Sequence, residues 1–343
     1  MIELKCKLII SKLKLHSQNI ALAYSAKINQ FAIISFLSIS HFHPLWVEAA
    51  SMPNAQLLAV FFMVLSMTSY QISASFAKQL FSVLDPITVT ILRLCFAAII
   101  VCVMFRSWKI ISRLPFLKWR DLLCYSAALG VMNILFYLSL GRLPQGIAVG
   151  LEFIGPLGLA LLSIKHRSYY IWVLMAILGI ALMVPWGQAN SSNFDLLGAA
   201  CALGAGFCWA LYIFFGQRVV QQNIGMHALT IAISISALCL LPIGLYNNAP
   251  ALIDTQHWGK AIVIAILATA IPYALDLKAL QHLNKMSYGT LSSLSPALAA
   301  LTGFLLLGEK ITVLQAVALV CIMLASVGVT VRAARQGAAE RNA

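Results

Sequence analysis

The chain has 343 residues, of which 61% are hydrophobic and 10% charged, against about half apolar and a quarter charged in a soluble domain. A mean hydropathy of +0.91 excludes a water-soluble enzyme or nucleic-acid-binding module. The formal net charge of +13 does not restore either reading, because the cations fall between apolar runs rather than on one solvated face. The fold class this predicts is an all-α polytopic membrane protein.

Residues 1–51 fit that class poorly. The opening MIELKCKLIISKLKLHSQ is basic and partly amphipathic, and the apolar residues 31–47 are interrupted by His41, His43 and Pro44. The segment reads as a signal sequence, an extra span or an interfacial helix. It reads equally as an upstream extension of the reading frame, with Met52 as the start. N-terminal sequencing of the purified protein separates these readings, since an intact Met1 removes the last.

Apolar runs of bilayer length, about 20 residues each, then follow in close succession: 56–80, 86–105, 120–140, 146–164, 169–185, 195–217, 226–245, 258–278, 286–307 and 312–332. They predict ten transmembrane helices in two sets of five, one in residues 52–190 and one in 191–332, with a tail at 333–343. Cytoplasmic loops retain lysine and arginine. If the first span starts in the cytoplasm, the inner loops and tail hold Arg106, Lys109, Arg113, Lys118, Arg120, Lys165, Arg167, Arg218, Lys278, Lys285, Arg332, Arg335 and Arg341. The outer loops hold only Arg142, Lys260 and Lys310. Both ends of the ten-helix body are therefore expected in the cytoplasm.

The two sets resemble each other. Laying RLPQGIAVGLEFIGPLG (142–158) over HLNKMSYGTLSSLSPAL (282–298) puts Pro156 on Pro296, and nearly the same shift puts SFAKQL (75–80) over FFGQRV (214–219). A unit with an odd number of spans must re-enter from the opposite side. The plan is an inverted repeat, which many secondary transporters use to build two alternating gates around a site near the midplane.

Within these spans a few charges stand where hydrocarbon should exclude them. Glu152 lies inside the apolar run 147–164, four residues ahead of Pro156. A carboxylate near the bilayer centre costs about 2.5 to 3.5 kcal/mol on insertion scales, so it faces protein or a wet cavity. Arg93, a third of the way through the second span, is as costly unpaired. It is either half of a buried ion pair, a snorkelling side chain, or a fork for a substrate carboxylate. Lys78 and Asp276 lie close enough to span ends to reach the interface. Asp276 shares its helix with Pro272 and Tyr273, and with Glu152 it makes a pair of acids suited to proton exchange. Gln71, Asn133, Tyr137, Trp209 and Tyr212 add amide, hydroxyl and aromatic groups of the kind a small amphoteric solute needs, although each singly reads as helix packing. Gly155, Pro156 and Pro296 are the expected hinges or helix breaks, and the small-residue runs 146–150 and 204–206 are expected to let helices approach.

No catalytic or cofactor chemistry is expected. There is no HExxH, GxSxG, GxxxxGK[ST] or GxGxxG, which leaves neither a nucleophile elbow nor a phosphate loop. The eight cysteines form no CxxC, and those in apolar runs read as small hydrophobes rather than metal ligands.

At LEFIGPLGLAL, ALGAGFCWALYIFFGQR (202–218) and GTLSSLSPALAALTGFLLLGE (289–309), the chain resembles the EamA branch of the drug/metabolite transporter superfamily, over about residues 52–332. The resemblance implies an inner-membrane, ten-helix exporter of small neutral amino acids such as threonine and homoserine, coupled to protons. From the residues themselves, Arg93, with Lys78 as the weaker candidate, is expected to orient the substrate carboxylate, and Glu152 to take the ammonium or the coupling proton. Family members carry an acid immediately before the proline of the ninth span, where this chain has Ser295. Other solutes (an aromatic amino acid, a purine, a cationic drug) fit the same scaffold. A membrane enzyme, a lipid-binding protein and a non-transporting structural protein are the readings from other classes.

Overall fold

The structure is a computed structural model that describes residues 55–109, 119–162, 170–183, 195–220, 222, 227–283, 288 and 291–342. The chain divides into two compact units, 1–55 and 56–343. The expectations for residues 1–51 lie outside the described residues.

All regular structure among the described residues is helical. Helix α1 is Ala55–Leu80 and α2 Pro86–Phe105; α3 is Trp119–Leu140, α4 Gln145–Glu152, α5 Ile154–Leu162 and α6 Tyr170–Met183. The second half holds α7 Leu196–Val220, α8 His227–Ile253, α9 Trp258–Ala265, α10 Ile271–Leu280, α11 Ser295–Leu307 and α12 Val313–Asn342. Among the described residues six stretches are long and apolar enough to cross a membrane and four shorter ones are apolar, each at an expected span.

Local chemistry explains the element ends. Asp85 caps α2 by accepting from Thr88 N at 2.9 Å and Thr88 Oγ1 at 2.6 Å, with Pro86 in the first turn, where its missing N–H costs nothing. Asp195 opens α7 by accepting from Gly198 N at 2.9 Å and Arg142 Nη1 at 2.6 Å. These hydrogen bonds, the Gly198 N–H first, hold the half-buried Asp195 carboxyl below its usual range.

Among the described residues, spans four, seven, eight and nine depart from straight helices, the last at a turn over 293–294. The fourth is interrupted at Phe153, between α4 and α5. The seventh runs on to Ile253, past Pro242 and Pro250, with Asn248 at a non-helical φ/ψ of −158°, 70°. The eighth, expected as one helix over 258–278, is α9 and α10 joined by a π-helical turn at Ile266–Ala270. That turn and Pro272 disturb the i to i−4 ladder beside α1. Hydroxyls on one face of α1 cover the carbonyls here: Ser66 Oγ donates to Pro272 O at 3.2 Å, Ser69 Oγ to Leu267 O at 2.9 Å and Ser73 Oγ to Ile264 O at 2.9 Å. Interhelical hydrogen bonds in membranes average about 0.6 kcal/mol. Replacing all three serines by alanine is expected to cost about 2 kcal/mol, read as a lower midpoint in detergent thermal unfolding.

Packing is helix on helix. α2 lies against α8 and α9, α3 against α7 and α8, α4 against α7 and α11, α5 against α7, and α6 against α12. Small residues set the closest approaches. A Cβ on Gly179 would lie 2.7 Å from Ile322 Cγ1, one on Gly328 2.4 Å from the Trp172 ring, and one on Gly146 2.7 Å from Ala300 Cβ. The outward faces carry large exposed apolar residues such as Phe61, Ile99, Val103, Leu174, Phe207, Leu238 and Phe304, the pattern of a surface solvated by lipid rather than water.

Candidate functional site

The site is built where α2, α3, α4, α7 and α10 face α1. Arg93 on α2 is 4% exposed, so it does not snorkel. Its Nη2 donates to Asn133 Oδ1, and its Cζ lies 5.1 Å from the centroid of the Tyr137 ring, within cation–π range. Asn133 and Tyr137 are one turn apart on α3, so both reach the same guanidinium. Asn133 Nδ2 donates to Leu129 O at 2.7 Å, which turns Oδ1 toward Arg93. The buried Arg93 Nε has no hydrogen-bond partner, and no carboxylate among the described residues pairs with this arginine.

Glu152 ends α4 and is 7% exposed. Its side chain has no hydrogen bond or ion pair among the described residues, and its electrostatic neighbour is Tyr70. Its position is fixed through the backbone. Pro156 has no N–H to return to Glu152 O, and Gly206 on α7 fills the place: a Cβ on Gly206 would meet that oxygen at 2.4 Å. Gly155 meets Gly206 O even more closely, at 1.8 Å from a built Cβ. Backbone touches backbone where α5 leaves the break, so Gly155 and Pro156, expected as a hinge, lie at a tight crossing with α7.

Tyr70 on α1 joins the two charges, lying within electrostatic reach of both Arg93 and Glu152 and of Tyr137. Tyr273 on α10 extends the cluster toward Tyr212, Tyr70, Arg93 and Asp276. Tyr212 stacks on Tyr125, with ring centroids 4.6 Å apart and planes at 18°. Trp209 packs edge-on against Phe153, the residue after Glu152, at 5.7 Å. Asp276 lies at the far edge of the cluster, beside Ser66 and Tyr288.

Two expected site residues are engaged elsewhere. Lys78 Nζ pairs with Glu309 Oε1 at 2.6 Å and donates to Leu143 O at 2.5 Å. Gln71 accepts on its backbone oxygen from Gln145 Nε2 at 2.9 Å and belongs to that same polar network. Pro296 begins α11 after a turn at 293–294, and Ser295, in place of the family's acid, donates to Met67 Sδ at 3.4 Å. Tyr70, Tyr125, Tyr288 and Ser66 were not among the expected residues. Their polar atoms sit inside the apolar spans 56–80, 120–140 and 286–307, the one signal that singles them out. Among the described residues no group of three His, Cys, Asp or Glu is placed to hold a metal ion.

Residues 196–331 match the EamA-like transporter family. The chain is similar to the threonine/homoserine exporter RhtA of Salmonella typhimurium (strain SL1344), at 42% identity over 284 residues covering 81% of this chain and 93% of that protein. It is similar to RhtA of Escherichia coli (strain K12), at 43% identity over 278 residues covering 80% and 91%. A solved crystal structure shares the fold at 16% identity, with a TM-score of 0.53 over 83% of this chain and 99% of its own. Buried polar groups inside apolar helices, together with these long alignments to transporters, make the chain a multi-pass membrane transporter rather than an enzyme, and it belongs to the EamA-like transporter family.

Proposed function

We propose that the chain is a secondary active exporter of small neutral amino acids of the threonine/homoserine type, in the bacterial inner membrane. The observation that carries this reading is that Arg93 and Glu152, both more than nine-tenths buried, approach the same Tyr70 without pairing with each other. A cation and an anion kept apart in one polar cluster complement a zwitterion. Arg93, steadied by Asn133 and Tyr137, takes the carboxylate. Glu152 takes the ammonium or the coupling proton, and Trp209, Tyr212 and Tyr273 form the walls. Asp276 is the second acid available for proton exchange, since Ser295 leaves the ninth span without a carboxylate at its proline.

Alternating access between residues 52–190 and 191–332, as inverted five-helix repeats, is the mechanism of choice. It is supported by the packing, in which the third span lies on the sixth as the first lies on the eighth, and the second and fifth lie on their own counterparts. The helix breaks at Phe153 and Ser293 are separated in sequence by the same interval as Pro156 and Pro296. The distribution of lysine and arginine supports cytoplasmic termini.

Counterflow of labelled threonine and homoserine in proteoliposomes, with and without a pH gradient, tests the reading. Saturable flux accelerated by the gradient is expected, and absence of amino-acid flux contradicts it. The stacked tyrosines favour one second reading, an aromatic amino acid. Stronger competition by phenylalanine than by homoserine in the same assay selects it.

A further inference from the structure

A second set of charges lies at the end of the bundle where α1 finishes and α4 begins. Gly308, at φ +65°, turns the chain after α11 so that Glu309 N returns to Gly303 O at 3.1 Å. The Glu309 carboxylate lies over Gly303, where a Cβ would come within 2.5 Å of Oε2. Oε1 pairs with Lys78 Nζ at 2.6 Å, and Oε2 accepts from Gln145 N at 2.7 Å. Helix α4 has Pro144 at its cap position with no side-chain cap bond, so a residue more than 160 positions away serves as its cap. Below it the Gln145 side chain donates to Gln71 O at 2.9 Å and Thr302 Oγ1 at 3.1 Å, and accepts from Ser75 Oγ at 2.8 Å.

These bonds join the end of α1 and the start of α4 to the α11–α12 turn, that is, the first half of the chain to the second. Glu152 lies on α4 seven residues from Gln145, about 10 Å along the axis. Just inside the network α4 and α11 approach closely, a Cβ on Gly146 lying 2.7 Å from Ala300 Cβ. A solute leaving Glu152 toward this end requires α11 and its turn to part from α1 and α4. The contacts that must break include the Lys78–Glu309 pair at a partly wet end, with side chains 21% and 14% exposed, where water can replace the partner, and beneath it the buried Gln145–Thr302 bond and the Gly146–Ala300 packing.

We propose that Glu309, through Lys78 and the α4 N-terminus, is a gating residue that closes this end of the path, the periplasmic end in the orientation proposed above, and is released once per transport cycle. The proposal rests on the alternating-access reading.

The test is the double variant Lys78→Cys/Glu309→Cys, bridged with bifunctional thiosulfonates of graded length and scored by mass. Bridging is expected to lower counterflow at least tenfold, reversibly on reduction, while the reagent leaves the counterflow of either single variant at that variant's own untreated rate. A bridge that leaves flux unchanged makes the contact a static brace and overturns the proposal, as does failure to bridge at every spacer length. A solute-independent readout separates this from failure of the export reading. Lys78→Ala is expected to speed labelling of Gln71→Cys by a membrane-impermeant maleimide at least fivefold over the native-cysteine background. An unchanged rate overturns the gate whether or not the unbridged protein carries threonine or homoserine.

Discussion

Gly155→Ala and Gly206→Ala are each expected to abolish stable folding, the largest effect of an added methyl group among the described glycines. The added Cβ meets Gly206 O at 1.8 Å in the first variant and Glu152 O at 2.4 Å in the second. Ordinary overpacking costs about 1 to 3 kcal/mol because side chains yield. Here the obstacles are backbone atoms of two crossing helices, and neither can rotate aside. We expect a loss of at least about 3 kcal/mol, the upper end for overpacking, seen as aggregation during detergent extraction or a sharply lower unfolding midpoint. Gly158→Ala is the matched control, since a Cβ there meets nothing within 4 Å. Equal behaviour of Gly155→Ala and Gly158→Ala contradicts the crossing.

Arg93→Ala is expected to reduce amino-acid flux at least a hundredfold while leaving the folded protein intact. The guanidinium is buried and fixed by Asn133 and Tyr137, yet no carboxylate among the described residues uses its charge. A charge-assisted hydrogen bond contributes about 1.5 to 3 kcal/mol, and two to one substrate carboxylate multiply the effect. Arg93→Lys keeps the charge but loses the planar fork, and is expected to retain a tenth of the flux or less. Glu152→Gln is the complementary experiment. Neutralising an unpaired buried carboxylate removes a cost of about 2.5 to 3.5 kcal/mol on insertion scales. Its unfolding midpoint is therefore expected to stay level or rise while export of toxic homoserine falls at least tenfold. This opposition of stability and activity marks a group retained for function. Unchanged homoserine resistance at normal expression removes Glu152 from the mechanism.

The spans were legible because the bilayer imposes a length and a composition that few residues can satisfy together, and the helices fall where those runs predict. The irregularities were less legible. Proline announced the break near Phe153, but nothing in ILATA marks the π-helical turn at Ile266–Ala270, which depends on serines of α1 almost 200 residues away. At the site, Arg93 and Glu152 stood out because a charge in hydrocarbon is rare, and the structure brings both to Tyr70. Tyr70 itself did not stand out, since a tyrosine in a membrane helix is ordinary until its neighbours are known. Lys78 was a plausible carboxylate partner on sequence grounds. Its partner is instead Glu309, which only the left-handed turn at Gly308 carries back to it. Long-range pairings of this kind leave no periodic trace along the chain.

Binding of the two poles of one zwitterion by the unpaired Arg93 and Glu152 is the step on which the proposed export rests. Its most direct measurement is equilibrium binding of labelled homoserine to the purified wild-type protein, to Arg93→Ala and to Glu152→Gln, with homoserine lactone and the deaminated hydroxy acid as competitors. Two-pole binding requires that the wild type bind homoserine and reject both competitors, the lactone for want of a carboxylate and the hydroxy acid for want of an ammonium. It also requires that each variant lose at least tenfold in affinity. Wild-type affinity in both variants, or equal binding of the deaminated competitor by the wild type, contradicts it.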